Sequence, residues 1–316
     1  NMYGMAGKNK NICEKCKRPS CINPKICPNL NTDHSALLDI YRAVDALPEI
    51  KKSFIGSGVR YDLLLHQTDD EKTNRATKEY TRELIINHVS GRLKVAPEHT
   101  SQTVLDLMRK PEFEQFIEFK RIFDRINQEE GLKQQIIPYF ISSHPGCTEA
   151  DMAELAVKTK RLDFQLEQVQ DFTPTPMTIS TETWYTGLHP YTLQPVFSAK
   201  TRDEKLAQRQ YFFWYKLEEQ RSIIQSLKRI GRKDLIAELC GNIPAARDNS
   251  TPRGNNSSRG NNSSRGNNSS RGNNSSRGNN WKDNSFGKSD NRHENNRKGV
   301  RGKGQKKSHG RRNSDY

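Results

Sequence analysis

QQIIPYFISSHPGCTEADMAELAVKTK, residues 134–160, decides the fold class. Its first half is a short apolar run of Ile136, Ile137, Tyr139, Phe140 and Ile141, which reads as a buried strand. It breaks into the polar turn SSHPG, and then Thr148 offers an N-cap to a helix over EADMAELAVKTK. Strand, polar turn and helix in that order form one parallel βα unit, and right-handed crossovers are the default between such units.

The same grammar recurs on both sides. Upstream, DHSALLDIYRAVDALP places Leu37, Ile40, Tyr41, Val44 and Leu47 on one helix face, and KKSFIGSGVR reads as a strand. NRATKEYTRELIINHV reads as a helix, RLKVA after Gly91 as a strand, and TVLDLM as a helical turn. Pro111 then opens a longer helix with Phe113, Phe116, Ile117, Ile122, Phe123 and Ile126 facing inward and Gly131 as its stop. Downstream, FQLEQVQDF reads as a strand before the loop TPTPMT. Three or four units cannot close an eight-stranded barrel, so the expectation is α/β, the C-terminal half of a partial (βα) TIM-like barrel over residues 1–187. The opening on Asn1 without a capping or strand signal reads as a start inside a domain.

From Asp203 the pattern changes to a single long helix over DEKLAQRQYFFWYKLEEQRSIIQSLKRI, then GRKDLIAELCGN, giving a C-terminal α-helical extension over residues 188–243. The aromatic run Tyr211–Tyr215 reads as packing against the barrel rather than as a binding face. Residues 244–316 hold four complete RGNNSS repeats and almost nothing apolar, the composition of a disordered basic tail. Residues 245–316 carry 17 Lys or Arg against 5 Asp or Glu, which leaves +3 of the net +15 for the rest of the chain. Arg-Gly units among Asn and Ser suit weak, salt-sensitive contact with RNA, although a solubilising linker needs the same composition. No apolar run approaches the roughly 18 residues that span a bilayer, so the expected setting is soluble and cytoplasmic, without a membrane partner.

Four of the six cysteines fall in CEKCKRPSCINPKICP, residues 13–28. Cys13, Cys16, Cys21 and Cys27 make an insert with gaps of two, four and five residues, and a soft four-sulfur set selects zinc or an iron-sulfur cluster. The other candidates lie at strand ends, where βα barrels keep their chemistry. These are Arg60, then Pro97, Glu98 and His99, then Ser142, Ser143, His144, Pro145, Gly146 and Cys147, then Thr173, Thr175 and Met177. Arg60 can fork onto a carboxylate or phosphate, Glu98 can accept from a ribose or amino group, and His99 or His144 can move a proton. Cys147 is either a reactive thiol at a helix N-terminus or a small buried residue. Each of these residues is also ordinary turn or capping chemistry, and only their convergence on one face raises them above that.

MYGMAGKNKNICEKCKRPSCINPKICPNLNTDH, FIGSGVRYDLLL, LKVAPEHTSQTVLDLMRKP, PYFISSHPGCTEADM and VQDFTPTPMT together resemble consecutive blocks of the YgiQ-type radical S-adenosylmethionine (SAM) proteins, over about residues 1–242. The resemblance implies a partial barrel in which a four-iron four-sulfur cluster and SAM lie across the face where the strands end. One-electron reduction would generate a 5′-deoxyadenosyl radical that abstracts hydrogen from a substrate, whose identity the resemblance does not supply. It further implies that Pro97–His99 and His144–Thr148 approach SAM, making Arg60, Glu98, His99, His144 and Gly146 the cofactor-binding candidates. Three cysteines with gaps of three and two residues, the signature that holds the radical SAM cluster, do not occur in the sequence. The cluster ligands are therefore expected upstream of Asn1, and the chain alone is expected to be inactive. The rival expectation is a zinc-binding, RNA-binding protein with an Arg-Gly tail.

Overall fold

The computed structural model of the chain describes residues 6–241. The expected basic tail and the RNA contact expected of it lie outside the described residues.

Three parallel strands form one open sheet in the order β1 (Arg92–Glu98), β2 (Gln135–Ser142), β3 (Gln168–Asp171). The α/β expectation holds as a small, unclosed parallel sheet, with β2 central and nearly continuously buried, as a strand covered on both faces must be. Register runs from Arg92↔Gln135 to Val95↔Pro138, and then Glu98 pairs with Phe140. One extra residue on β1 is thus bulged out, beside Pro97, which has no N–H to give to a ladder. The bulge leaves Glu98 at φ 67°, a left-handed backbone unusual for a non-glycine residue.

Before the sheet come α1 (Lys10–Glu14), α2 (Ser35–Asp45), α3 (Tyr61–Leu65) and α4 (Glu71–Asn87). Asp70 caps α4 by accepting from Lys72 and Thr73 N–H, so that Tyr80, Leu84 and Ile85 enter the core. Between β1 and β2 stand α5 (Gln102–Met108) and α6 (Phe113–Glu129). The α6 stripe buries Phe113, Phe116, Phe119, Phe123 and Ile126, so Phe119 replaces the expected Ile117 and Ile122, which are only partly buried. On α2, Leu38 is the buried residue and Ile40 is exposed, and Leu47 lies beyond the end of the helix and is exposed too. α7 (Glu149–Arg161) starts on a reciprocal Thr148–Asp151 capping box and ends on Lys158, Lys160 and Arg161, which complement its dipole.

Two expectations need correction. The segment Ser53–Arg60 is not a strand, although Gly58 lies so close to β1 that a Cβ there would stand 3.0 Å from the Lys94 carbonyl oxygen. It flanks β1 without forming a ladder, because Gly56 and Gly58 cost backbone entropy and offer no side chain to pack. The long helix after Asp203 is also broken. α8 (Ile179–Thr186), an unexpected helix capped by Thr178, is followed by α9 (Arg202–Arg209), a single 3-10 turn over Gln210–Phe213, α10 (Leu217–Arg229) and α11 (Asp234–Cys240). Tyr211 and Phe212 are adjacent and both fully buried within this turn. No helix among the described residues is long and apolar enough to cross a membrane.

Candidate functional site

The C-terminal ends of β1 and β2 carry the largest concentration of buried polar groups. Glu98, His99 and Thr100 continue β1, Ser142, Ser143 and His144 end β2, and all six are buried. Ser143 (φ 61°) and Gly146 (φ 83°) join Glu98 in left-handed backbone. A Cβ at Gly146 would also lie 2.3 Å from Leu107 Cδ1, the tip of a half-buried side chain that would have to move.

His99 is fully buried and receives the Ser101 N–H at Nδ1 (3.0 Å), which puts its own proton on Nε2, 3.5 Å from Cys147 Sγ. Burial drives the His99 pKa down to about 4, and burial pushes the Cys147 thiol well above its usual value. The pair is a neutral imidazole beside a neutral thiol, which removes the thiolate that a reactive cysteine needs. Burial opposes the charge of Asp151, but hydrogen bonds from Thr148 and Ser101 hold its carboxyl below the usual range. His144 donates from Nδ1 to the Pro145 carbonyl (2.9 Å) and accepts from Ser180 Oγ at Nε2 (2.9 Å), with Phe172 packed edge-on at 5.0 Å. Burial takes its pKa down to about 4 against the opposing Pro145 bond. Both imidazoles are uncharged at pH 7, with both nitrogens engaged, so neither is poised to move a proton in this state.

The turn after β2 is gripped from α9. Gln208 accepts from Ser143 N–H (2.7 Å) and donates to the Cys147 carbonyl (2.7 Å), while Phe197 O accepts from Gly146 N–H (2.7 Å). Ser142 Oγ donates to Asp171 (2.6 Å), which also pairs with Arg209 (3.1 Å). What these partners leave over is informative. Lys110 Nζ donates to Glu98 Oε1 (2.8 Å), but Glu98 Oε2, Thr100 Oγ1, Ser143 Oγ and Tyr61 OH are buried without a partner.

Arg60 does not join this group directly. Its fork closes on Asp62, through Nε (2.9 Å) and Nη2 (2.5 Å), and it reaches the strand ends only through a shared cleft with Lys110. Thr173 and Thr175 form loop hydrogen bonds, Thr175 N–H donating to Thr181 Oγ1 (2.7 Å), and Met177 is fully exposed. In the cysteine insert, Asn29 Nδ2 donates to Cys13 Sγ (3.2 Å) and Arg18 N–H to Cys16 Sγ (3.4 Å), contacts suited to thiolates. The Cys21–Cys27 loop is closed by Cys27 N–H donating to Cys21 O (2.7 Å). Yet among the described residues no three His, Cys, Asp or Glu side chains are gathered to hold a metal ion. The four sulfurs are thus not drawn together in this arrangement.

Lys110, Gln208, Asp171, Ser180 and Tyr61 were not singled out from the sequence. Asp171, the last residue of β3, and Tyr61, next to Arg60, lay where strand-end logic could have reached them, whereas Lys110, Gln208 and Ser180 did not.

Among known proteins, residues 167–313 match the model of a domain of unknown function, DUF3362. A UPF0313 protein of Bacteroides thetaiotaomicron is 76% identical over 241 residues, covering 76% of this chain and 39% of that protein. A UPF0313 protein of Porphyromonas gingivalis is 62% identical over 253 residues (80% of this chain, 40% of that protein), and one of Methanocella arvoryzae is 41% identical over 236 residues (75% and 38%). The chain thus spans about two fifths of the length of the relatives it matches. Over that stretch the chain is a homologue of the UPF0313 proteins, and the domain of unknown function DUF3362 begins at its residue 167.

Proposed function

We propose that the chain is part of a radical SAM enzyme of the YgiQ type, in which the ends of β1 and β2 form one wall of the SAM cradle. One observation carries this reading. Glu98 Oε2 and Ser143 Oγ are buried without partners, on adjacent strand ends, each in left-handed backbone. Such groups lose roughly 1–3 kcal/mol each unless something satisfies them, and backbone strain of this kind gathers where a ligand is clamped. A bound nucleoside with amino and hydroxyl groups would provide the missing partners.

In this reading the cluster and SAM supply the one-electron chemistry and the hydrogen-abstracting radical. The protein's own residues bind and orient. Glu98, steadied by Lys110, accepts from the ligand through its free oxygen. Ser143 faces it from the neighbouring strand, and Gly146 lets the turn close on Leu107. His99 and His144 stay neutral and fix the turn through Cys147, Pro145 and Ser180. The other half of the barrel and the cluster ligands belong, in the same proposal, to the stretch of the longer relatives that this chain does not span. The cysteine insert is proposed to bind zinc or a second iron-sulfur cluster by drawing its sulfurs together when metal is present.

The test uses a chain of the relatives' full length. Calorimetry with S-adenosylhomocysteine should give binding that Glu98→Gln weakens about tenfold, the worth of one charge-assisted hydrogen bond. Anaerobic reduction with SAM should release 5′-deoxyadenosine. No nucleoside binding and no release would sink the reading, whereas full affinity in Glu98→Gln would remove only Glu98 from the cradle.

A further inference from the structure

A second cleft, of about 460 Å³, opens where the cysteine insert, α3 and the linker from α5 to α6 meet. Its volume lies within the few hundred Å³ usual for small-molecule sites. Its walls bring Lys25 from the insert, Arg60 from the start of α3, and Arg109 and Lys110 from the linker against only two carboxylates, Asp62 and Glu112.

The donors outnumber their uses. Arg60 commits two of its five N–H groups to Asp62, and Lys110 one of its three to Glu98. Arg109 and Lys25 form no ion pair among the described residues, and the Arg109 guanidinium instead stacks 5.3 Å from the Tyr191 ring. That stacking fixes the fork without neutralising it. Arg109 also holds a left-handed φ of 55° at the end of α5, a position usually given to Gly or Asn. From the same side α6 opens on Glu112 with no side-chain cap, so the positive end of a 17-residue helix faces the linker that lines the cleft. Arginine and lysine donate and never accept, so what satisfies this surplus is a group rich in acceptor oxygens.

We propose that this cleft is a binding site for the oxyanion of a small acidic ligand, a phosphate ester or a carboxylate, held by Arg109, Lys25 and the free donors of Arg60 and Lys110. The site stands independently of the radical SAM reading. It is distinct from the strand-end wall but linked to it, because Lys110 serves both.

The experiment is calorimetry on the full chain at low salt, with inorganic pyrophosphate and malonate as probes. Arg109→Gln combined with Lys25→Gln should weaken binding at least tenfold, and Arg109→Lys, which keeps the charge but loses the fork, should fall between. The double substitution Lys133→Gln with Lys228→Gln removes the same charge elsewhere and should stay within twofold of the parent. The basic residues beyond 244 attract anions in every variant alike, so they cancel in this comparison. Preference for pyrophosphate would identify a phosphate ester, and preference for malonate a carboxylate. Equal losses in the two double variants, or no binding of either probe, would overturn the proposal.

Discussion

Lowering the pH from 7 to 5 should destabilise the described body through His99 and His144. In the unfolded chain each imidazole titrates near 6.5, and in the native state burial holds each at about 4. Between those values the unfolded state binds more protons than the native state, so stability is intact above about pH 6.5 and falls as the pH drops towards 4. Each residue contributes about 1.36 kcal/mol per pH unit in that window. Over the roughly 1.5 units between 6.5 and pH 5 this amounts to about 2 kcal/mol per imidazole. The surroundings set the same direction: Asp151 favours a charged His99, but Lys158 and a protonated His144 oppose it, and desolvation exceeds them all. Urea unfolding followed by tryptophan fluorescence at pH 7 and pH 5, at constant ionic strength, measures the difference. His99→Gln and His144→Gln should each be less stable than the parent at pH 7 and should each lose about 2 kcal/mol of the pH dependence. If either variant keeps the parent's full loss between pH 7 and 5, that imidazole is not buried neutral and its role as a fixed element of the turn is wrong.

Gln208→Leu strands the buried Ser143 N–H and Cys147 carbonyl, and should cost roughly 2–4 kcal/mol in chemical denaturation; a loss under about 0.5 kcal/mol would mean that α9 does not hold the turn. Gly146→Ala should cost about 1–3 kcal/mol, because its Cβ meets Leu107 Cδ1 at 2.3 Å, and adding Leu107→Ala should recover part of that; no recovery would place the whole cost in the backbone. Anaerobically purified protein should carry metal at the cysteine insert, and Cys16→Ser and Cys27→Ser should each abolish it by elemental analysis. Unchanged metal content would exclude a shared centre. Removing residues 245–316 should leave the melting temperature within a few degrees and abolish any salt-sensitive RNA binding, whereas RNA binding that survives would move that contact onto the body.

Much of this was legible in the sequence because local and tertiary signals agreed. β2, the Thr148 cap and α7 follow from an apolar run, a polar turn and a helical stripe, and each is found within a residue or two. The misreadings share one cause, tertiary context deciding between local alternatives. Ser53–Arg60 has strand-like side chains and lies beside β1, but its two glycines leave it without a ladder. In YFFWY the hydrophobic pattern is continuous, and only packing of Tyr211 and Phe212 against the rest of the core fixes where the helix breaks. For the site, strand-end position pointed to Glu98, His99, His144 and Gly146. Their partners were invisible because Lys110 lies 12 residues from Glu98, and Gln208 lies 65 from Ser143. A glutamine inside a helix carries no sequence signal of the backbone it will cap.

The start of the DUF3362 match bears on how the molecule is built. Residue 167 falls immediately before β3, so the match begins between two paired strands. β3 has its ladder only because Tyr139 to Ser142 of β2 stand opposite Gln168 to Asp171. The traffic across that line is heavy in both directions. Gln208 caps the β2 turn, Arg209 and Ser142 share Asp171, Tyr211 and Arg229 both reach Glu149, and Lys160 donates to the carbonyls of Glu238 and Leu239 at the end of α11. The Gln208–Ser143 bond is buried, and cutting it leaves unsatisfied groups on both sides, while the others are part-buried or exposed and cost less to break. The helices after residue 200 therefore act as the outer brace of the β2 turn, and the stretch of unknown function is a structural component of the strand-end wall. A substitution on α9 is then expected to reach the Glu98 side of the site through the backbone of Ser143 rather than through any ligand contact of its own.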